Sequence, residues 1–358
     1  MTVAVHLVSR LGHGYGDRVD VSLSGEQRAW QEAVATLAAE HAITPAAGLP
    51  AGDDPAAWAA VTALGLTGLR SRAETDGAPT GVESALAAEQ LARQLCGTPV
   101  LGQALIAAEL LDAAGAAYEL AGLVAGDRIA PVLTGDLRDF GASGWAFDAL
   151  GAGRALLVTG DPEAPGLAFA TLDETGPEGL DLTRTLRPVG AAATAVPVGT
   201  TIGRERWAQV RAFALTVLAA DALGVMDAAV ADAVTHAGSR EQFGVAIGSF
   251  QALQHLLADA AIQVEGARSC VWHAAWAVDH ADPADALLAA RTAKAYCARA
   301  GVAVVEATVQ VFGGLAITWE HSSHLRLRRV RLDRQVLGDE NVHHRAIADL
   351  RIAQHGAA

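Results

Sequence analysis

A cationic side chain lies between two helical patterns in residues 239–258, which read SREQFGVAIGSFQALQHLLA. Arg240 and Gln242 follow the first pattern, the turn-forming pair Phe243-Gly244 comes next, and Gln251 begins the second pattern. A guanidinium at a helix junction is a good anion site because its planar fork of donors matches phosphate oxygens. The stretch therefore predicts a diphosphate-binding site. The alternative is an arginine that pairs with a carboxylate at a helix end.

A second stretch with adjacent glycines, residues 309–314 (VQVFGG), follows a long helical pattern. Glycines let the backbone approach a bulky ligand where side chains would collide. With SREQFG and the pair Phe250-Gln251, this stretch resembles the carboxy-terminal half of the acyl-CoA dehydrogenase family of flavoproteins. Four further landmarks follow in the family's order, at 58–69 (WAAVTALGLTGL), 89–99 (EQLARQLCGTP), 126–130 (GDRIA) and 224–226 (GVM).

Length and composition are compatible with that resemblance. The chain has 358 residues, of which 51% are hydrophobic and only 5% aromatic, with many alanines, so we expect closely packed helices and two or three domains. A formal net charge of -14 argues against nucleic acid or an anionic membrane as the main partner. Cys96, Cys270 and Cys297 have no metal-binding spacing, which favours reduced thiols. We find neither a secretory leader nor a run of about 18 apolar residues, and expect a soluble cytoplasmic protein.

The fold class expected from the pattern is mainly α with a small central β domain. Residues 1–20 are interpreted as a flexible leader, and 21–128 as a helical domain with helices over 24–40, 58–64, 82–95 and 103–123. Short strand patterns at 155–158, 167–171 and 193–198 indicate a β domain over 129–203. Long helical patterns at 204–237, 249–279, 284–309 and 341–354 predict a four-helix bundle over 204–358. This order is that of the acyl-CoA dehydrogenase fold.

The resemblance implies α,β-dehydrogenation of an acyl-CoA thioester with FAD, in which a carboxylate removes the α proton. In the family this glutamate usually stands in the loop before the last helix. An ungapped alignment from Arg345 and Ile347 places Gly338 at that position. Some members carry the base on the first helix of the last domain, and here that position is Ala214. Both usual base positions therefore lack a carboxylate.

Three nearby carboxylates are weaker candidates for the base. Asp339 and Glu340 lie one and two residues from the usual position, although a one-residue shift displaces a side chain beyond the tolerance of a productive site. Their alternative role is to favour the positive start of the last helix. Asp221, in an apolar helical setting, is the third candidate, and a buried contact between helices is its alternative role.

The β domain also departs from the family pattern. It has Leu133-Thr134-Gly135-Asp136 where a Thr-Glu-Pro stretch usually holds the flavin ring, so we expect it not to hold the isoalloxazine unaided. The residues that family members extend across a subunit interface to a neighbour's FAD are present. By resemblance, this cofactor-binding set is Arg240, Gln242, Phe243, Gln251, Gln310, Val311, Phe312, Gly313 and Gly314.

This combination resembles the short, base-lacking subunit of heteromeric acyl-CoA dehydrogenases of the steroid side-chain type. We expect a homologous partner that carries the catalytic Glu, an α2β2 assembly, a bulky acyl-CoA substrate and a separate electron acceptor. One alternative is a self-sufficient flavoenzyme with a relocated base. Another is a non-catalytic scaffold that kept the fold and lost the flavin.

Two other groups of polar residues permit more than one interpretation. His321 and His324 have the spacing of metal ligands but no evident third ligand, and a polar loop explains them without a metal. A run of arginines between 326 and 334 could meet CoA phosphates, whereas a solvated face or a subunit contact explains it equally. His343 and His344, near the vacant base position, could line the site or reflect a polar helix start.

Overall fold

The computed structural model describes residues 22–45, 49, 52–172, 179–190 and 195–356, with side chains up to residue 352. The predicted leader over 1–20 lies outside these residues. The helices before the sheet are α1 (Gly25–Glu40), α2 (Pro55–Ala63), α3 (Gly81–Arg93), α4 (Ala107–Ala113) and α5 (Ala117–Val124), with a π-helical segment, Val100–Ile106, before α4.

Local sequence signals set the ends of these helices. The Ser24 side chain accepts from the Gln27 backbone N–H at 3.1 Å, and the Gln27 side chain accepts from Ser24 in return, so the predicted capping box is confirmed. The single helix predicted over 103–123 is wrong. The chain breaks between α4 and α5 at Gly115, whose φ of +64° is costly for other residues.

Six short strands form one sheet. They are β1 (Ile129–Leu133), β2 (Gly144–Ala146), β3 (Arg154–Asp161), β4 (Ala164–Thr171), β5 (Arg187–Val189) and β6 (Val196–Val198). Their order is β5-β2-β1-β3-β4-β6, with β1 and β3 parallel and the other neighbours antiparallel. The predicted strands at 155–158 and 167–171 lie within β3 and β4. The third, at 193–198, contains β6, and its residues 193–194 lie outside the described part. β2 and β5 are three residues long, too short for an alternating pattern to predict.

Long helices follow the sheet. They are α6 (Arg204–Ser239), α7 (Gln251–His280), α8 (Pro283–Phe312), α9 (Ser323–Gln335) and α10 (Glu340–Gly356), with a two-stranded hairpin of β7 (Glu241–Gln242) and β8 (Val245–Ala246) between α6 and α7. The described residues after the sheet form five helices, whereas four were predicted. The additional helix, α9, lies in the arginine-rich stretch that was interpreted as polar surface.

The first of these helices, α6, is the centre of the core and packs against α3, α7 and α8. At Gly224 it passes so close to α3 that an added Cβ would collide with the carbonyl oxygen of Glu89, which explains the glycine there.

Two helical stretches, α6 and Pro283–Ile317, are long and apolar enough to cross a membrane by length and composition alone. The expectation that the chain has no apolar run of about 18 residues is therefore wrong. Of their apolar windows, 89% and 44% respectively are buried inside the protein, and core helices pass the same test.

The sheet is joined to the bundle by a buried ion network of Arg184, Arg329, Asp148, Asp181, Asp221 and Asp333. Asp221 on α6 accepts from Arg184, in the loop before β5, at 2.7 Å and from Arg329 on α9 at 2.8 Å. Burial raises the pKa of Asp221, but the two guanidiniums outweigh burial and hold it well below its usual range.

Removal of the shared carboxylate should be costly. In the variant Asp221→Asn, both guanidiniums stay buried without their main counter-ion, and we expect the free energy of unfolding in urea to fall by about 3 kcal/mol. The matched control is Glu306→Gln, which breaks the exposed ion pair with Arg331 and should cost less than about 1 kcal/mol. Equal losses in the two variants would contradict this interpretation.

The network has four carboxyls for two guanidiniums, and Asp333 is one of those in excess. Both of its oxygens are buried, and neither accepts a hydrogen bond from the described residues. Burial and the neighbouring Asp221 raise the pKa of Asp333 well above its usual range. The folded protein therefore keeps a proton on Asp333 that the unfolded chain releases above about pH 4.

This retained proton predicts a pH dependence. Because the folded state binds more protons at Asp333 than the unfolded state, its contribution to stability falls as pH rises above about 4 through the raised pKa. The variant Asp333→Asn has no carboxyl to titrate at this position, so its stability does not fall in this way as pH rises. The variant should match the wild-type free energy of unfolding near pH 4 and exceed it at pH 8, by chemical denaturation at each pH. An equal difference at both pH values would exclude this account.

Candidate functional site

Four segments meet at one end of the bundle. The last turn of α6, the β7–β8 hairpin, the start of α7 and the end of α8 lie together there, packed around Phe312. The Phe312 ring lies 5.0 Å from the ring of His236 and 4.4 Å from that of His321. The fold thereby brings the SREQFG and QVFGG stretches together, although about 70 residues separate them in sequence.

Arg240 is the exposed cation of this end. It follows α6 directly, and its backbone N–H donates to His236 O at 2.8 Å while its own carbonyl accepts from Ile247 at 2.8 Å. No carboxylate of the described residues lies within 4.0 Å of its guanidinium. The sequence also allowed Arg240 to pair with a carboxylate at the helix end. The described part of the chain contains no such pair.

The hairpin after Arg240 presents an aromatic ring to solvent. Phe243 and Gly244 both have positive φ, +56° and +82°, which suits the two-residue turn of a tight hairpin. The Phe243 side chain is 94% exposed, and its ring meets the ring of Phe250 edge-on at 6.2 Å. Gln242 and Gln251 are exposed beside it. The arrangement offers donors and ring faces to a ligand or a protein surface.

The glycine pair directly follows Phe312. Gln310, Gly313 and Gly314 are exposed, whereas Val311 and Phe312 are buried and anchor the segment. Gly313 has φ +60° and ends α8, and an added Cβ at either glycine would meet no atom within 4 Å. The open space beside this backbone is compatible with close approach by a large ligand.

The two histidines with metal-like spacing have other roles. His321 Nδ1 accepts from the backbone N–H of Ser323 at 3.2 Å, at the start of α9, and His324 stacks on Trp319 with ring centroids 4.8 Å apart. The described residues contain no group of three His, Cys, Asp or Glu that could hold a metal. The nearby arginines have protein partners in Asp232, Leu180 O, Asp221, Glu306 and Glu340.

The usual base position is closed to a side chain. Gly338, between α9 and α10, has φ +98°, a conformation that strains any residue with a Cβ. A Cβ built there would lie 3.0 Å from Val342 Cγ1. The Gly338 carbonyl accepts from the buried Lys294 at 2.7 Å, which fixes the loop. The alternative base position, Ala214, is buried within α6.

The three candidate carboxylates are all engaged by the protein. Asp339 caps α10, with its Oδ1 accepting from the backbone of Asn341 and Val342 at 3.1 Å, and these bonds outweigh burial and lower its pKa. Glu340 accepts from Arg334, which lowers the pKa of its carboxyl. Asp221 belongs to the buried ion network. Lowered pKa values weaken a general base, so none of the three is prepared for proton abstraction.

The loop that replaces the flavin-ring stretch contacts the base loop directly. The Leu337 N–H donates to the Leu137 carbonyl at 2.7 Å, and both leucines have left-handed φ values, +55° and +62°. Such residues persist only where their surroundings hold them. The two loops are therefore joined backbone to backbone.

Lys294 and His343 lie beside the Gly338 loop, and only His343 was considered from the sequence as a residue that could line the site. Lys294 is buried and donates to the carbonyls of Arg334 and Gly338, and burial lowers its pKa to about 8. His343 is buried beside Gly338, and burial, with Lys294 and Arg291, lowers its pKa to about 3. For Lys294, the available sequence signal was a lysine on the apolar face of α8.

Comparison with known proteins agrees with this architecture. A family model described as acyl-CoA dehydrogenase, C-terminal domain, matches residues 213–350. Acyl-CoA dehydrogenase IpdE2 of Mycolicibacterium smegmatis is 30% identical over 329 residues, which cover 88% of this chain and 96% of that protein. The chain belongs to the acyl-CoA dehydrogenase family. Both the predicted family and the predicted fold class are confirmed.

Solved structures show the same fold. A steroid acyl-CoA dehydrogenase variant, Tcur3481-Tcur3483, superposes with a TM-score of 0.78 at 24% identity, covering 93% of this chain and 99% of that chain. The ChsE4-ChsE5 complex of Mycobacterium tuberculosis gives a TM-score of 0.74 at 20% identity, covering 92% and 98%. The family consists of oxidoreductases that use FAD, so the predicted enzyme class and family cofactor are also confirmed.

The residues present fit one part of FAD better than the other. An unpaired guanidinium, exposed glutamines and an open glycine backbone at the bundle end suit a diphosphate and nucleoside. The joined Leu137 and Leu337 backbones do not suit an isoalloxazine ring. When bound, FAD would supply the hydride acceptor, and this chain's residues would hold its nucleotide end.

The role of Arg240 can be tested through cofactor retention. In the variant Arg240→Ala, loss of a charge-assisted contact to phosphate should weaken FAD binding by the assembled enzyme roughly tenfold or more. Flavin absorbance per protein after gel filtration measures the loss. The control Arg28→Ala removes an exposed arginine on α1 and should retain the wild-type flavin content. Equal retention by both variants would exclude Arg240 from the site.

Proposed function

We propose that this chain is the base-lacking subunit of a heteromeric, FAD-dependent acyl-CoA dehydrogenase. It would hold the diphosphate and adenosine of FAD with the set from Arg240 to Gly314. A homologous partner would supply the catalytic Glu, the contacts to the flavin ring and much of the acyl site. The assembly would desaturate a bulky, steroid-like acyl-CoA in the cytoplasm and pass electrons to a separate acceptor.

The closed conformation at Gly338 is the observation that carries this proposal. Proton abstraction needs a carboxylate aimed at the substrate, and here the usual position combines a left-handed glycine with a crowding Val342. Asp339, Glu340 and Asp221 are already bound by other groups. The loop around Leu137 lies against Leu337 rather than leaving space for a ring. A chain that exposes residues able to hold the nucleotide end of FAD, and that has no base, would form one half of a site shared with a partner.

The names of the relatives support a heteromer and a steroid substrate. Two of the structures with this fold are named as pairs of chains, and one is described as a steroid enzyme. Apolar side chains are exposed around the residues that would hold the nucleotide end of FAD, and they provide a surface for a second chain. Among them are Phe243, Phe250, Ile317 and Trp319.

Co-expression with a homologous chain that carries the family glutamate tests the proposal. The pair should co-purify, show flavin absorbance and desaturate an acyl-CoA. A Glu→Gln change in the partner should lower the rate by at least about 1,000-fold, whereas Asp339→Asn and Glu340→Gln in this chain should change it by less than about threefold. Yellow, active protein purified without a partner would refute the proposal and favour a relocated base.

A further inference from the structure

Arg291 is a cation without a counter-ion beside the Gly338 loop. It lies half-buried on α8, and no carboxylate of the described chain lies within 4.0 Å of it. The Nε of Arg291 is buried and has no hydrogen-bond partner. Within the described residues, the guanidinium donates one hydrogen bond, from Nη1 to His343 Nδ1 at 3.4 Å. A partly dehydrated guanidinium without an anion is unfavourable, so this position is suited to receive one.

The charged groups that act on Arg291 leave it without a carboxylate of its own. Arg211 on α6 is bound to Asp139 at 3.0 Å, so the nearest carboxylate is already engaged. Lys294, one turn along α8, donates only to backbone carbonyls. Burial and then Arg211 lower the pKa of Arg291 to about 10, as expected for a cation whose neighbours do not neutralise it.

The imidazole of His343 adds a second unsatisfied donor. Its lowered pKa of about 3 keeps it neutral at physiological pH. Because Arg291 donates to Nδ1, the ring proton is on Nε2, and Nε2 is buried without an acceptor. Arg291 on α8 and His343 on α10 therefore each keep one buried nitrogen without a hydrogen-bond partner beside the loop at Gly338.

We propose that Arg291 and His343 form a carboxylate-binding site beside the vacated base position. A guanidinium binds a carboxylate through two parallel N–H···O bonds, and the imidazole N–H can supply a third. One guanidinium matches the single negative charge of one carboxylate group, such as one end of a dicarboxylate, whereas both charges of a phosphate dianion would fall on the same group. The site goes beyond the proposed subunit role, because it requires neither FAD nor a base. The carboxylate would come from a small molecule or from a side chain of the partner.

Calorimetry with glutarate tests the site in the full chain, in the assembly in which it is purified. Glutarate should bind at low salt and its dimethyl ester should not. Arg291→Gln should weaken glutarate binding at least tenfold, and Arg291→Lys less. The control Arg299→Gln, an exposed arginine on the same helix, should bind as the wild type does. Equal binding by Arg291→Gln, or preference for inorganic phosphate, would overturn the assignment.

A measurement on the unaltered chain needs a variant only to assign one resonance. The histidine resonance that is lost in His343→Asn should show a higher pKa with glutarate than without it, because the anion offsets Arg291 and Lys294. If glutarate fails to bind the purified pair but Arg291→Gln weakens association of the two chains at least tenfold, while Arg299→Gln does not, the partner supplies the carboxylate. No effect of Arg291→Gln on either kind of binding overturns the proposal.

Discussion

One carboxylate shared by two guanidiniums sets the relation between the sheet and the bundle. Asp221 lies on the central helix, and its partners come from the loop before β5 and from α9. Since each guanidinium would be buried without its main counter-ion if the contact broke, the three elements are held together. The orientation of α9 follows from this contact, and the Gly338 loop follows α9. The closed base position is therefore fixed by interactions made deep in the core.

The parts of the fold that could be predicted are those in which apolar residues recur with helical spacing over many turns. Helices α6, α7 and α8 have that period, and each was predicted to within a few residues. Helix α9 was missed because its exposed and buried positions are both occupied by arginine, so that no apolar stripe marks it. Arg329 is buried only because Asp221 receives it, about 100 residues earlier in the chain. Sequence periodicity cannot show such a partner.

The candidate site was predictable where residue type alone defines the chemistry. The absence of a carboxylate at Gly338 follows from the sequence, but its left-handed backbone and the crowding by Val342 appear only in three dimensions. Arg240 and the QVFGG stretch were assigned together by resemblance, and the contact of Phe312 with His236 shows why they meet. Arg291, Lys294 and His343 were not predicted to act together, because they face one another only after α8 and α10 pack.

The geometry at Gly338 bears on how such a chain can change over time. To restore a glutamate there, the backbone would have to leave its left-handed conformation, Val342 would have to become smaller, and the bond between Leu337 and Leu137 would have to open. Each change alone weakens the loop without giving a working base, so no path of single improvements leads back. Under the proposed subunit role, the missing proton acceptor would act as an evolutionary ratchet that keeps the descendants of this chain dependent on a complementary gene.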